Sequence, residues 1–236
     1  MKCDHKSDNS TCRLCSAGLN LFMNDLPSEL ELELNSLKKN IKLKKDQVLF
    51  HEGSVPLGLY CIDYGKIKLN MIGSDGREHI IRLLKDGEVL GYRALLSGDH
   101  YKATATAIED AEVCLIPKVI VDKIILKSDR FLKELIRKLS TDLTNAEQSV
   151  TSIAHKSLRQ RVAESIIHLK DIYGFEEDNQ TIAVVLSREE IASVVGTATE
   201  SIIRQLSDLK KDGMIELDGK RIKILNENKL MVTADK

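Results

Sequence analysis

The chain has no tryptophan, 4% aromatic residues and three prolines in 236 positions. So little proline excludes collagen-like and Pro-rich linker architectures. No segment approaches the ~18 apolar residues of a membrane span, and the opening decapeptide MKCDHKSDNS holds no signal-peptide core. A cytoplasmic protein with no membrane partner is expected. Charge of one sign is also missing, since the formal net charge is −1 and residues 156–236 carry 13 Lys and Arg against 14 Asp and Glu. A nucleic-acid binder working through a global basic field is thereby excluded, and any such contact must come from a local patch. Catalytic groupings are lacking too: no phosphate loop, no carboxylate dyad, and His51, His79, His100, His155 and His168 are scattered without a nucleophile at a telling spacing. The chain is not expected to be an enzyme. Five cysteines without an export signal do not suggest a disulfide framework, although three of them fall within the first fifteen residues.

What is present is an ordinary globular composition, 42% hydrophobic and 30% charged, in a chain long enough for two domains and a connector. After a cysteine-bearing extension over 1–20, Pro27 opens a short amphipathic helix in which Leu30, Leu34 and Leu37 recur at helical spacing. From Ile41 to about Pro117, short apolar alternations are cut by glycines, with Gly73-Ser74-Asp75-Gly76 as a hairpin turn. Such spacing indicates an all-β sandwich or roll, assigned to 21–118. Lys118 to Tyr173 contains neither glycine nor proline and reads as helical. Within it Leu132, Ile136, Leu139, Leu143, Ala146, Val150 and Ile153 step alternately by four and three, a heptad seam. Either a partner helix or the chain's own β-domain could cover this narrow stripe; dimerisation through 119–155 is the expectation.

The segment 156–236 carries the most specific local signal. Ser187 with Glu190, and Thr197 with Glu200, each fit a capping box, so two short helices are expected to begin at about Arg188 and Ala198. Gly196 supplies the backbone freedom for a tight joint between them, which matches a helix-turn-helix. On the second helix Ile202, Leu206 and Leu209 form a buried stripe, leaving Thr199, Glu200, Ile203, Arg204 and Ser207 on a face that can enter a major groove. Gly213 fits the end of that helix. Two alternating strands around an Asp218-Gly219 turn then form a wing, with Lys220, Arg221 and Lys223 near its tip. Arg204 is the candidate for direct base readout, because a guanidinium pairs bidentately with guanine. Glu200 could accept from a cytosine amino group or simply cap its helix, and Ile203 could meet a thymine methyl or complete the core. Thr197, Ser201, Lys156, Arg159, Lys210, Lys211, Lys220 and Arg221 are the further candidates for DNA contact, the cations as phosphate contacts.

Taken together, K-x-D-Q-V-L-F-H-E-G, Leu59-Tyr60, Gly65-Lys66-Ile67-Lys68, Asp86-Gly87-Glu88 and Glu200-Ser201-Ile202-Ile203-Arg204 resemble the Crp/Fnr family of bacterial transcription factors over nearly the whole chain from about Leu26. The resemblance implies an α+β protein: an N-terminal cyclic-nucleotide-binding-like β-roll, a long dimerisation helix and a C-terminal winged helix-turn-helix over 156–236. It implies a homodimer on double-stranded DNA with a two-fold symmetric site, and RNA polymerase as a partner. An effector would sit near Gly87, Glu88, Arg93, Tyr101 and Lys102. Cyclic AMP is not expected, since Tyr101-Lys102 stands where cyclic AMP-binding members carry Arg-Ser or Arg-Thr, and lysine is a poor replacement for a bidentate arginine. By likeness to the oxygen-sensing branch, Cys3, Cys12, Cys15 and Cys114 form a candidate ligand set for an iron-sulfur cluster or zinc, although Leu21 occupies one of that branch's cysteine positions. Cys61 reads as core. The alternative function is a β-roll sensor acting through protein contacts without DNA.

Overall fold

The computed structural model describes residues 27–74 and 76–235; Cys3, Cys12 and Cys15 lie outside them. The described residues fall into two compact units. One comprises everything up to Asn70 together with Arg82–Asp142, the other Met71–Ile81 with everything from Leu143.

In the first unit, helix α1 (Ser28–Leu37) starts after Pro27 and buries Leu30 and Leu34. The strands of the β-roll are β1 (Lys39–Leu43), β2 (Val48–Phe50), β3 (Gly58–Tyr64), β4 (Ile67–Ile72), β5 (Glu78–Leu84) and β6 (Val89–Leu90), then after helix α2 (Tyr92–Ser97) β7 (Thr104–Ala107) and β8 (Ala111–Pro117), residues 71–72 of β4 and 78–81 of β5 falling in the second unit. They form two four-stranded sheets, ordered β1-β8-β3-β6 and β2-β7-β4-β5. The two-residue period of a strand divides their side chains cleanly. Tyr60 and Ile62 of β3, with Val113 and Leu115 of β8, join Phe50, Ile67, Leu84 and Ala105 in a core shared by both sheets. The alternate residues Leu59, Cys61, Cys114 and Ile116 face the other way and pack with the helices. This is the expected β-roll.

The glycine-free stretch forms three helices: α3 (Lys118–Lys127), α4 (Asp129–His155) and α5 (Leu158–Tyr173). The break after α3 is made by Ser128, whose backbone is extended and whose hydroxyl accepts the Phe131 N–H at 3.2 Å. Phe131 and Leu135 anchor α4 in the helix-side core beneath the sheet. Ser157 and Gln160 form a capping box at the start of α5 that the sequence reading missed.

The second unit continues from α4 through α5, α6 (Arg188–Val195), α7 (Thr199–Lys211), the hairpin β9 (Ile215–Asp218) with β10 (Arg221–Ile224), and α8 (Glu227–Asp235). Val162 and Ile166 of α5, Ile191 and Val195 of α6, Ile202 and Leu206 of α7, and Leu230 of α8 are all buried. The Ser193 hydroxyl accepts the Ile80 N–H at 2.8 Å and donates to the Glu78 carbonyl at 2.7 Å, which accounts for Met71–Ile81 belonging to this unit. Among the described residues no helix is long and apolar enough to cross a membrane.

Candidate nucleic-acid interface

Helix α6 begins as its sequence dictates. The Ser187 hydroxyl accepts the Glu190 N–H at 3.1 Å, and the Glu190 carboxylate accepts the Ser187 N–H at 2.8 Å. Gly196 ends the helix with φ at +72°, a left-handed conformation that side chains with a Cβ resist. The Gly196 and Thr197 amides both donate to the Ala192 carbonyl, at 2.9 and 3.0 Å. From α5, the Arg161 guanidinium donates to the Val195 carbonyl at 3.1 Å and ties down the same corner.

The second capping box does not form. Thr197 is engaged in closing α6, so α7 starts at Thr199 with Ala198 at its N-cap and no side-chain capping bond. Glu200 is therefore the second helical residue rather than the third, too early to close a box with Thr197. Glu200 thus has no capping-box role, although in the first turn of α7 its carboxylate still complements the helix dipole.

Ile202, Leu206 and Leu209 are completely buried, as the spacing required. On the opposite face Glu200 and Arg204 are exposed, and Ile203 is 49% exposed, which excludes it from the core. Thr197, Thr199, Ser201 and Ser207 are half-buried at the edges of this strip. The end of α7 follows the expected pattern, with Gly213 at φ +69° and the Met214 amide donating to the Leu209 carbonyl at 3.0 Å.

The wing differs from expectation by one residue. Arg221 pairs with Asp218, so the two-residue loop is Gly219-Lys220 rather than Asp218-Gly219. Gly219 has φ +55° at the first loop position, where hairpin turns of the primed types need positive φ and glycine adopts it most cheaply. The Arg188 guanidinium of α6 donates to the Gly219 carbonyl at 2.8 Å and holds the wing tip against the helix-turn-helix.

Many of the candidate cations have intramolecular acidic partners. Arg221 is paired with Glu176 and Arg159 with Asp212, Lys156 lies 2.8 Å from Glu164, Lys223 3.8 Å from Asp178, and Lys211 3.9 Å from Asp208. Arg204 has no acidic partner among the described residues, and Lys220 is exposed at the wing tip. The strip on α7 thus presents an exposed guanidinium, an exposed carboxylate one helical turn earlier, and an exposed aliphatic side chain between them.

Residues 40–128 match the cyclic nucleotide-binding domain family, and residues 160–232 match the Crp-like helix-turn-helix domain family. The chain belongs to the Crp/Fnr family of transcription regulators. This regulator is 28% identical over 195 residues to the anaerobic regulatory protein of Bacillus subtilis strain 168, covering 82% of each chain. It is 28% identical over 233 residues to the fumarate and nitrate reduction regulatory protein of Vibrio cholerae, covering 98% of the regulator and 90% of that relative. Among solved structures, FixK2 from Bradyrhizobium japonicum superposes with a TM-score of 0.75 at 23% identity, over 84% of the regulator and 97% of FixK2. A CRP/FNR-family transcriptional regulator of Thermus thermophilus gives 0.71 at 22% identity, over 84% and 99%. The alternative of a protein-contact module without DNA finds no support in these likenesses.

The five residues expected around an effector stand in different environments. Glu88 lies in the turn after β5, accepting from the Lys138 ammonium at 3.1 Å. Arg93 is exposed, and Lys102 is exposed and paired with Asp99 at 2.7 Å. Tyr101 is buried and stacked on Phe50 with ring centroids 3.9 Å apart; burial pushes its phenol above the ordinary tyrosine range. Gly87 has φ +83° and forms the turn itself.

Cys114 is buried in the helix-side core, directly across the β3–β8 ladder from Cys61, which is also buried, as expected. Among the described residues no three His, Cys, Asp or Glu side chains come together as a metal site. Cys114 is the described member of the candidate ligand set.

Proposed function

We propose that this transcription regulator works as a homodimer in which each α7 lies in a major groove and reads one half of a two-fold symmetric site. The observation that carries this reading is the exposed strip Glu200-Ile203-Arg204 on a helix whose other face is wholly buried. Arg204 pairs with a guanine, Glu200 accepts from a cytosine amino group, and Ile203 meets a thymine methyl. Thr197, Thr199 and Ser201 border the strip, and Lys211, Lys220 and Arg221 stand by for phosphates, Lys220 with the least competition from acidic neighbours. Dimerisation runs through Leu132, Ile136, Leu139, Leu143, Ala146, Val150 and Ile153, with RNA polymerase as the partner by family likeness and the cytoplasm as its location.

A duplex selected from a random library tests the reading. Arg204→Ala is expected to weaken binding to it by about 10- to 100-fold per half-site, equivalent to ~1–3 kcal/mol for each of the two contacts, while binding to unrelated DNA stays the same. Equal losses on both would make Arg204 a phosphate contact and overturn its assignment to base readout. Lys220→Ala is expected to weaken both alike and to lower the salt slope by about one per subunit, hence about two for the dimer.

For the effector, the names of the anaerobic relatives favour the cysteine set Cys3, Cys12, Cys15 and Cys114 as iron-sulfur or zinc ligands over a cyclic nucleotide. Anaerobic purification with an absorbance spectrum and metal analysis tests it. A coloured, iron-containing protein that bleaches in air supports a cluster, zinc alone supports the second form, and a metal-free protein removes the proposal.

A further inference from the structure

Helix α4 is held in the first unit by Phe131 and Leu135, with Leu139 packed beside them. Beyond Leu139 no residue as far as His155 is buried. Asp142 is the last residue of this unit, and around it three separate segments build a polar cluster. The Arg82 guanidinium from β5 donates to the Tyr92 hydroxyl at 2.6 Å and to the Asp142 carboxylate at 2.9 Å. The Tyr92 hydroxyl donates to the same Asp142 oxygen. The second Arg82 nitrogen lies 3.5 Å from Glu88, whose carboxylate also accepts from Lys138 of α4 at 3.1 Å. Two cations and two carboxylates are thus matched. The cluster is well shielded, with the Arg82 and Asp142 side chains 18% and 15% exposed and Tyr92 at 2%.

Removing one partner from such a group strands the other charge in a poorly hydrated place, which costs far more than loss of a surface ion pair. The cluster therefore strongly favours one position of the helix at Asp142. The next residue, Leu143, is 60% exposed and belongs to the heptad stripe.

We propose that Arg82, Tyr92 and Asp142 form a clasp that fixes where α4 leaves the β-roll and so presents Leu143, Val150 and Ile153 in register for a second copy of the chain. Glu88 and Lys138 extend the clasp to the turn after β5, so a displacement of that turn is passed directly to the helix. The proposal rests on the reading that α4 pairs with its copy.

Sedimentation of the full chain over a range of concentrations tests both claims. Asp142→Asn is expected to weaken self-association at least tenfold, and Tyr92→Phe, which keeps the ring and removes one donor, by a smaller factor. The double variant Arg82→Met with Asp142→Leu is expected to recover most of the loss, since neither charge is then stranded. Arg137→Ala, which breaks an exposed ion pair with Glu134 on the same helix, is expected to change nothing. Wild-type association in Asp142→Asn, beside a monomeric Val150→Glu, would overturn the clasp alone. Wild-type association in Val150→Glu as well would overturn the helix pairing beneath it. Should Asp142→Asn fold poorly, Tyr92→Phe and the double variant decide: an unaffected Tyr92→Phe, or a double variant without recovery, overturns the clasp.

Discussion

Asp178 organises the loop between α5 and α6 by accepting the Thr181 N–H and hydroxyl, both at 2.7 Å, and the Gln180 N–H at 3.0 Å. These donors, the Thr181 backbone first, hold its carboxyl down to about 2. An unfolded aspartate titrates at about 3.9, so the carboxylate stabilises the fold fully above that pH and stops doing so as pH falls through about 2. Asp178→Ala is expected to lower Tm at pH 6, with the gap to wild type closing as pH approaches 2 in circular dichroism melts. Gly58 makes a different demand. A Cβ there would lie 2.0 Å from the Ile116 carbonyl oxygen of the neighbouring strand, a backbone atom that cannot swing aside. Gly58→Ala is expected to cost roughly 1–3 kcal/mol or more, read as a shifted denaturation midpoint, with the surface properties of α7 untouched.

Capping separates what was legible in the chain from what was not. Ser187-x-x-Glu190 and Thr197-x-x-Glu200 carry the same local signature, yet only the first forms a box. The difference lies in Gly196: its left-handed backbone draws the Thr197 amide into the end of α6, a competition that a four-residue pattern does not contain. Ser187→Ala is accordingly expected to cost about 1 kcal/mol and Thr197→Ala a small fraction of that, by urea denaturation. A comparable Thr197→Ala loss would restore the capping box. Periodic features were readable because they repeat locally: the sheet alternation and the buried stripe of α7 both came through. The Arg82-Tyr92-Asp142 cluster was not, because its members are 10 and 50 residues apart in sequence and only the folded β-roll brings them together. The intramolecular pairing of Arg221 with Glu176, 45 residues away, was hidden for the same reason.

For the molecule as a whole, the decisive quantity is the apolar stripe left open on α4. Val150 is 68% exposed and Ile153 61%, a degree of exposure that a regularly spaced row of aliphatic side chains does not keep in water without a partner. Leu139 already packs in the first unit, so the stripe is shared: its start anchors the helix, and its open remainder is available to a copy. A carboxylate at Val150 would place two like charges beside each other in an apolar seam, and Val150→Glu is expected to make the chain monomeric by sedimentation. DNA binding then separates into two parts. A monomer retains its own α7 strip, so affinity for a single half-site is expected to stay as in wild type. Affinity for the complete two-fold site is expected to fall roughly 100-fold or more, because the second half-site is no longer tethered at high effective concentration. The salt slope should fall by about half, since half the phosphate contacts are gone. Unchanged binding of Val150→Glu to the complete site would mean that two strips need no pairing of α4 to act together.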